Sequence, residues 1–347
     1  MRKQFSLERI GQSRGLLMGL AALWVALYHS RSMDFTQSHI LTAVHLAGPM
    51  QYLKYMGNAG VDVFLFLSGY GLYHSLAGHP GIRQFYSRRF LKILPPVLIV
   101  TILYYGWTGT AGIREYTALN LHYALYHGSY DMGQFWYFSL LIVLYLLYPL
   151  IHRVVRRMDW KGALGLIVFF VAAALAIRMI DSTYFGKIEI ALTRVPVFIA
   201  GAWAGKKSRE GAAIPGWAAA AALAAAIGMM ALAAVLPVAE KDFFIIRYVY
   251  GMAATCFCIG AAWLDRMVPA NGLRRFIVLI GLYSMEIYLI YEPLYMNLTG
   301  FFKVSDGVGI TYAAACFTAT MLLAFGLKKA SGIITEAIRK PEKADRA

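Results

Sequence analysis

Five ionisable side chains stand inside long apolar runs of this chain: His29, Asp62, Arg194, Glu286 and Glu292. Such groups are expensive in hydrocarbon unless paired or hydrated, so each is a candidate for chemistry. A histidine exchanges a proton near neutral pH, and a neighbouring carboxylate can orient its ring. His29 is therefore the candidate general base. Asp62 and Glu292 are both possible orienters, and the sequence does not choose between them. Arg194 suits an anionic intermediate equally well as a solitary interface residue snorkelling to water.

A second cluster is Tyr86-Ser87-Arg88-Arg89-Phe90-Leu91-Lys92, just before Pro95-Pro96. Arg88, Arg89 and Lys92 can neutralise phosphates, helped by the partial charge of a helix N-terminus. The plainer reading of the same charges is topological anchoring. A third feature runs from Gly60 to Gly71. Its small residues Gly60, Ser68, Gly69 and Gly71 permit close approach of a helix or of a ligand.

The elements that must position these residues follow from composition. Of 347 residues, 59% are hydrophobic and only 15% charged; mean hydropathy is +0.57. An ordinary soluble domain carries about 25% charge, so the chain reads as an all-α, polytopic membrane helix bundle. About ten segments are apolar enough to span, near 13–31, 58–77, 90–108, 134–151, 162–180, 190–205, 213–237, 243–264, 276–298 and 308–327. Residues 111–128 read as an amphipathic or re-entrant piece. With the N-terminus inside, 24 of the 33 basic residues fall in inner loops and tails, as the positive-inside rule requires. Both termini are then cytoplasmic. Residues 1–327 form one transmembrane domain, and 328–347 form a charged, partly disordered tail.

That topology accounts for the net charge of +15 without nucleic acid. It also places His29, Asp62, Arg194 and Glu292 in the outer half and Glu286 near the middle. No metal site is expected. The eight histidines are scattered, and Cys256-Phe-Cys258 is too close for a usual zinc pair and has no second pair.

Five blocks in order resemble the acyltransferase 3 family of bacterial inner-membrane proteins, from about Arg14 to Leu327. Met18 to His29 is similar to the family's first-helix motif, which ends in its essential histidine. Gly60 to Gly71 is similar to the second-helix motif, with Phe66-Leu67-Ser68-Gly69 one residue shorter between Phe and Ser. Tyr86 to Pro95 resembles the basic inner-loop signature. Phe135-Trp136-Tyr137-Phe138-Ser139 through Leu150 resembles the fourth-span block, and Tyr283 to Pro293 the late Ser-x-x-x-Tyr-Leu-Ile-His block. Two departures stand out. The family usually has Arg or Lys where Met18 stands, with Arg14 one turn earlier here. Tyr291 replaces the late histidine.

The resemblance implies transfer of an acyl group, commonly acetyl, from a cytoplasmic acyl-CoA to a hydroxyl of a cell-surface or lipid-linked carbohydrate. It implies a bacterial cytoplasmic-membrane enzyme that modifies cell-envelope polysaccharide by O-acetylation. On that reading His29, Asp62, Glu292 and Arg14 are the catalytic set. Arg88, Arg89, Lys92, Ser68 and Gly69 bind acetyl-CoA or another acyl-CoA. Trp136, Tyr137, Arg194, Glu286, Tyr288 and Tyr291 bind the acceptor, with Arg194 or Tyr288 facing the oxyanion. Two other readings suit the same helices: a transporter or flippase for a glycan or lipid-linked intermediate, and a non-catalytic subunit of an envelope assembly complex.

Overall fold

The computed structural model describes residues 4–31, 33–38, 42–78, 81–108, 136–235, 243–302 and 310–344, and they are overwhelmingly helical. The expected all-α bundle is what forms. The expected piece at 111–128 lies outside the described residues, as do Arg114, Phe135, Lys241 and Lys303.

A short strand β1 (Gln4–Ser6) precedes α1 (Glu8–Gln12) and α2 (Arg14–His29). Then come α3 (Ala47–Tyr55), α4 (Gly60–Ala77), α5 (Ile82–Thr108), α6 (Trp136–Arg157), α7 (Trp160–Ile180), α8 (Ser182–Leu192) and α9 (Val195–Arg209). After β2 (Ala213–Pro215), the chain continues through α10 (Gly216–Val235), α11 (Phe243–Asp265), α12 (Gly272–Leu282), α13 (Ser284–Phe301) and α14 (Ile310–Ala344). The strands form an antiparallel ribbon with Phe5 opposite Ile214. It ties the N-terminus to the turn after α9, and Phe5 is fully buried there.

Each of the ten expected segments holds helix over most of its described residues, with 213–237 opening in β2, but the count of ten spans is not confirmed. Among the described residues, six helical stretches are long and apolar enough to cross a membrane: Trp136–Arg157, Trp160–Ile180, Ile188–Arg209, Gly216–Ala234, Phe244–Asp265 and Ile310–Arg339. The helix α2 is apolar but shorter. The ninth expected segment is divided at Tyr283 between α12 and α13. The sixth is divided at Thr193–Arg194, just before Pro196 at the start of α9.

Local sequence explains several helix starts. Asp159, Asp181 and Asn271 each accept from a backbone amide of the first turn at 2.8 Å, capping α7, α8 and α12. Glycines set two helix crossings. A Cβ at Gly69 would stand 2.1 Å from the Phe198 carbonyl, and one at Gly201 2.0 Å from that of Phe66. So α4 and α9 touch backbone to backbone. Gly19 and Gly281 do the same for α2 and α12, with carbonyls 1.9 Å from the missing Cβ atoms.

Most of the expected tail is helical. Residues 328–344 continue α14, which is 35 residues long. At 1.5 Å per residue that is roughly 52 Å, well beyond the roughly 30 Å of a bilayer core. The end of α14 that outruns the apolar stretch packs beside the start of α5.

Candidate functional site

Three cavities follow one another between α2 and α13, and both helices present a stripe to them. On α2 the stripe is Arg14, Met18, Ala22, Ala26 and His29, at spacings of three and four. On α13 it is Ser284, Tyr288 and Glu292. Ser284 lines all three cavities, Tyr288 separates the outer from the middle one, and Arg14, Met18 and Lys92 border both the middle and the inner one. The space narrows from the inner to the middle to the outer cavity, towards His29. Arg14 and His29 stand at opposite ends of α2, roughly 22 Å apart by helical rise.

In the outer cavity, His29 Nδ1 lies 3.2 Å from Glu292 Oε1, and both side chains are largely buried. The pair is close but off-line for a hydrogen bond. Arg31 Nη2 reaches the same oxygen at 3.8 Å from an exposed position. Tyr291 approaches the Ser30 hydroxyl at 2.5 Å. Ser30 donates to the Ala26 carbonyl at 2.9 Å, so Tyr291 is the donor to Ser30. The phenol standing in for the family's late histidine is therefore already committed.

Asp62 is elsewhere. Its Oδ1 lies 3.3 Å from Arg194 Nε, with both side chains almost wholly buried. Arg194 also donates to Asn58 Oδ1 at 2.8 Å and to the Ile190 carbonyl at 3.0 Å. Its guanidinium covers the Trp136 ring at 4.9 Å. The break between α8 and α9 places Arg194 here; its two Nη atoms are hydrogen-bonded, while its Nε and both Asp62 oxygens are buried with the ion pair alone and no hydrogen bond among the described residues. Of the two possible orienters of His29, the geometry brings Glu292 to it and gives Asp62 to Arg194. Trp136, expected against a sugar, is buried under Arg194 instead.

The middle cavity collects Arg14, Arg89, Lys92, Ser68, Tyr137 and Tyr145. Ser68 faces the phenols of Tyr137 and Tyr145. Tyr137 is buried and lies 5.1 Å from the Tyr288 ring, so it forms an internal wall rather than an outer stacking face. Arg14 donates through Nε to Met18 Sδ at 3.4 Å. The residue standing where the family has a cation thus holds Arg14 in place. Arg89 Nε has no hydrogen-bond partner among the described residues. Gly69 does not line a described cavity; the Phe198 carbonyl occupies the space its Cβ would take.

The inner cavity is basic. Arg14, Arg88, Lys92, Lys328 and Arg339 line it against Glu286 and Glu336. Glu286, expected near the middle of a span, belongs to this chamber because α13 begins only at Ser284. Such a surplus of fixed cations in a concave site suits a polyanionic ligand.

Ser284, Tyr145, Arg31, Lys328 and Arg339 were not among the expected site residues. The spacing of Ser284, Tyr288 and Glu292 at i, i+4 and i+8 was a legible signal for the first. The others required the packing. Among the described residues, no group of three or more His, Cys, Asp or Glu is arranged to hold a metal.

No curated protein and no solved structure matches the chain. One family model does, described as an acyltransferase domain (acyltransferase 3), and it matches residues 16–329. That match takes in α2 from Leu16 to His29, the basic start of α5, and α13 with Glu292. Over nearly its whole length, then, the chain is a member of the acyltransferase 3 family.

Proposed function

We propose that the protein is a membrane-embedded O-acyltransferase. It moves an acyl group, acetyl in the simplest case, from acyl-CoA to a hydroxyl of a cell-surface or lipid-linked carbohydrate. The basic end of the bundle faces the cytoplasm of a bacterium, in its inner membrane. The observation that carries the reading is the graded set of cavities between a cationic chamber and the His29–Glu292 pair.

The coenzyme's phosphates lie among Arg88, Lys92 and Arg14. Its pantetheine arm follows the α2 stripe past Met18 and Ser68, and the thioester reaches Tyr288. Glu292, 3.2 Å from Nδ1 of His29, aligns with it as the substrates bind, which leaves Nε2 as the base. Nε2 takes the proton of the acceptor hydroxyl as its oxygen attacks the thioester carbonyl. The C–O bond forms, the C–S bond breaks, and the imidazolium returns the proton to the departing thiolate. The Tyr288 hydroxyl donates to the oxyanion, since Arg194 is occupied by Asp62 and Asn58.

The narrow outer cavity favours a short acyl group. The test is release of free coenzyme A from acetyl-CoA by the purified protein with an acceptor glycan, beside His29→Ala. Loss of release in a folded variant supports the assignment. Full activity of His29→Ala would overturn it.

A further inference from the structure

Residues 328–344 have the composition of a tail, yet they lie as helix against the start of α5. The cause is local. In an uninterrupted helix the Leu91 carbonyl would accept from the amide of residue 95, and Pro95 has no N–H. Leu91 is half-buried, and a carbonyl left unpaired there is costly. The Thr335 hydroxyl donates to it at 3.0 Å. Seven residues earlier, Lys328 donates to the Leu282 carbonyl, and its ammonium lies 4.4 Å from the centre of the Tyr283 ring. Leu282 ends α12, where helical donors run out. Two helix interruptions thus hold one face of α14, because residues seven apart lie on the same side of a helix.

That same face carries Ser331 and Arg339, and it lines the inner cavity. Arg88 enters the cavity from α5. Neither Arg88 nor Arg339 has an ion-pair partner among the described residues. We propose that the last turns of α14 are the second wall of the donor site, with Arg339 and Arg88 together gripping the phosphates of coenzyme A. This rests on the acyl-CoA reading above and assigns a binding role to a segment outside the apolar bundle.

The experiment uses the full chain in detergent and calorimetric titration with free coenzyme A. Arg339→Glu is expected to weaken binding about tenfold or more, the worth of one charge-assisted hydrogen bond. Lys329→Glu makes the same change in net charge at a position that does not line the cavity, and should stay within about twofold of the parent, well under the ~1.4 kcal/mol of a tenfold change. Equal weakening by both variants would mean a diffuse field and would overturn the assignment. Coenzyme A bound by the parent and equally by Arg339→Glu would overturn it while leaving the donor reading intact. No binding of coenzyme A to the parent would overturn the donor reading, and this inference with it.

Discussion

His29 Nδ1 and Glu292 Oε1 lie 3.2 Å apart, while Asp62, the other carboxylate at a similar sequence-expected depth, lies 3.3 Å from Arg194. The two acids therefore have different tasks, and their substitutions should separate. Glu292→Gln keeps the shape of the side chain but removes the charge that steadies the imidazolium. We expect kcat to fall by about two orders of magnitude, in the usual range for general-base support, with the melting temperature unchanged. Asp62→Asn strands the buried Arg194 guanidinium. It should cost about 3 kcal/mol of stability, read as a lower melting temperature and poor yield.

Tyr288→Phe retains the ring packed on Tyr137 and Phe138. Only the hydroxyl is lost. If that hydroxyl serves the oxyanion, kcat should drop by about 10² with KM for the donor nearly unchanged. A change in KM alone would make Tyr288 a binding wall.

Two glycines of α4 make opposite predictions. Gly69→Ala would drive a methyl group into the Phe198 carbonyl, 2.1 Å from the ideal Cβ. Backbone cannot yield cheaply there, so destabilisation of about 1–3 kcal/mol is expected. Gly71→Ala meets only Arg14 Nη1 at 2.4 Å, the tip of a flexible side chain. It should fold normally and shift donor KM, because Arg14 borders both the inner and the middle cavity. Thermal unfolding and donor titration of the two variants check this.

Thr335→Val removes the hydroxyl that donates to the Leu91 carbonyl where Pro95 has no N–H to offer. The cost should be about 1 kcal/mol, concentrated in the end of α14. Faster amide exchange over 328–344, with the rest of the bundle unaffected, is the expected signature.

By itself, the sequence determines the class of the molecule and the family. Apolar runs of span length allow little but helices, since every backbone polar group must be satisfied within the segment. The His29 motif and the basic block before Pro95 were also legible, because their residue types are unusual in such surroundings. So was the helical stripe from Ser284 to Glu292. The pairing of charges was not. Asp62 and Glu292 are equivalent in the sequence, and only the break at Arg194 and the division of the late segment at Tyr283 send one to each partner. Gly69 illustrates the same limit. A small residue permits close approach, but what approaches is decided by the neighbouring helix, here through the Phe198 carbonyl. The role of α14 was the least legible of all. Its last turns have the composition of a solvated tail, and what docks them is the Leu282 carbonyl at the end of α12 together with a carbonyl freed by a proline 240 residues before Thr335. Local composition encodes the preference for helix; long-range contacts of that kind exist only once the bundle has closed.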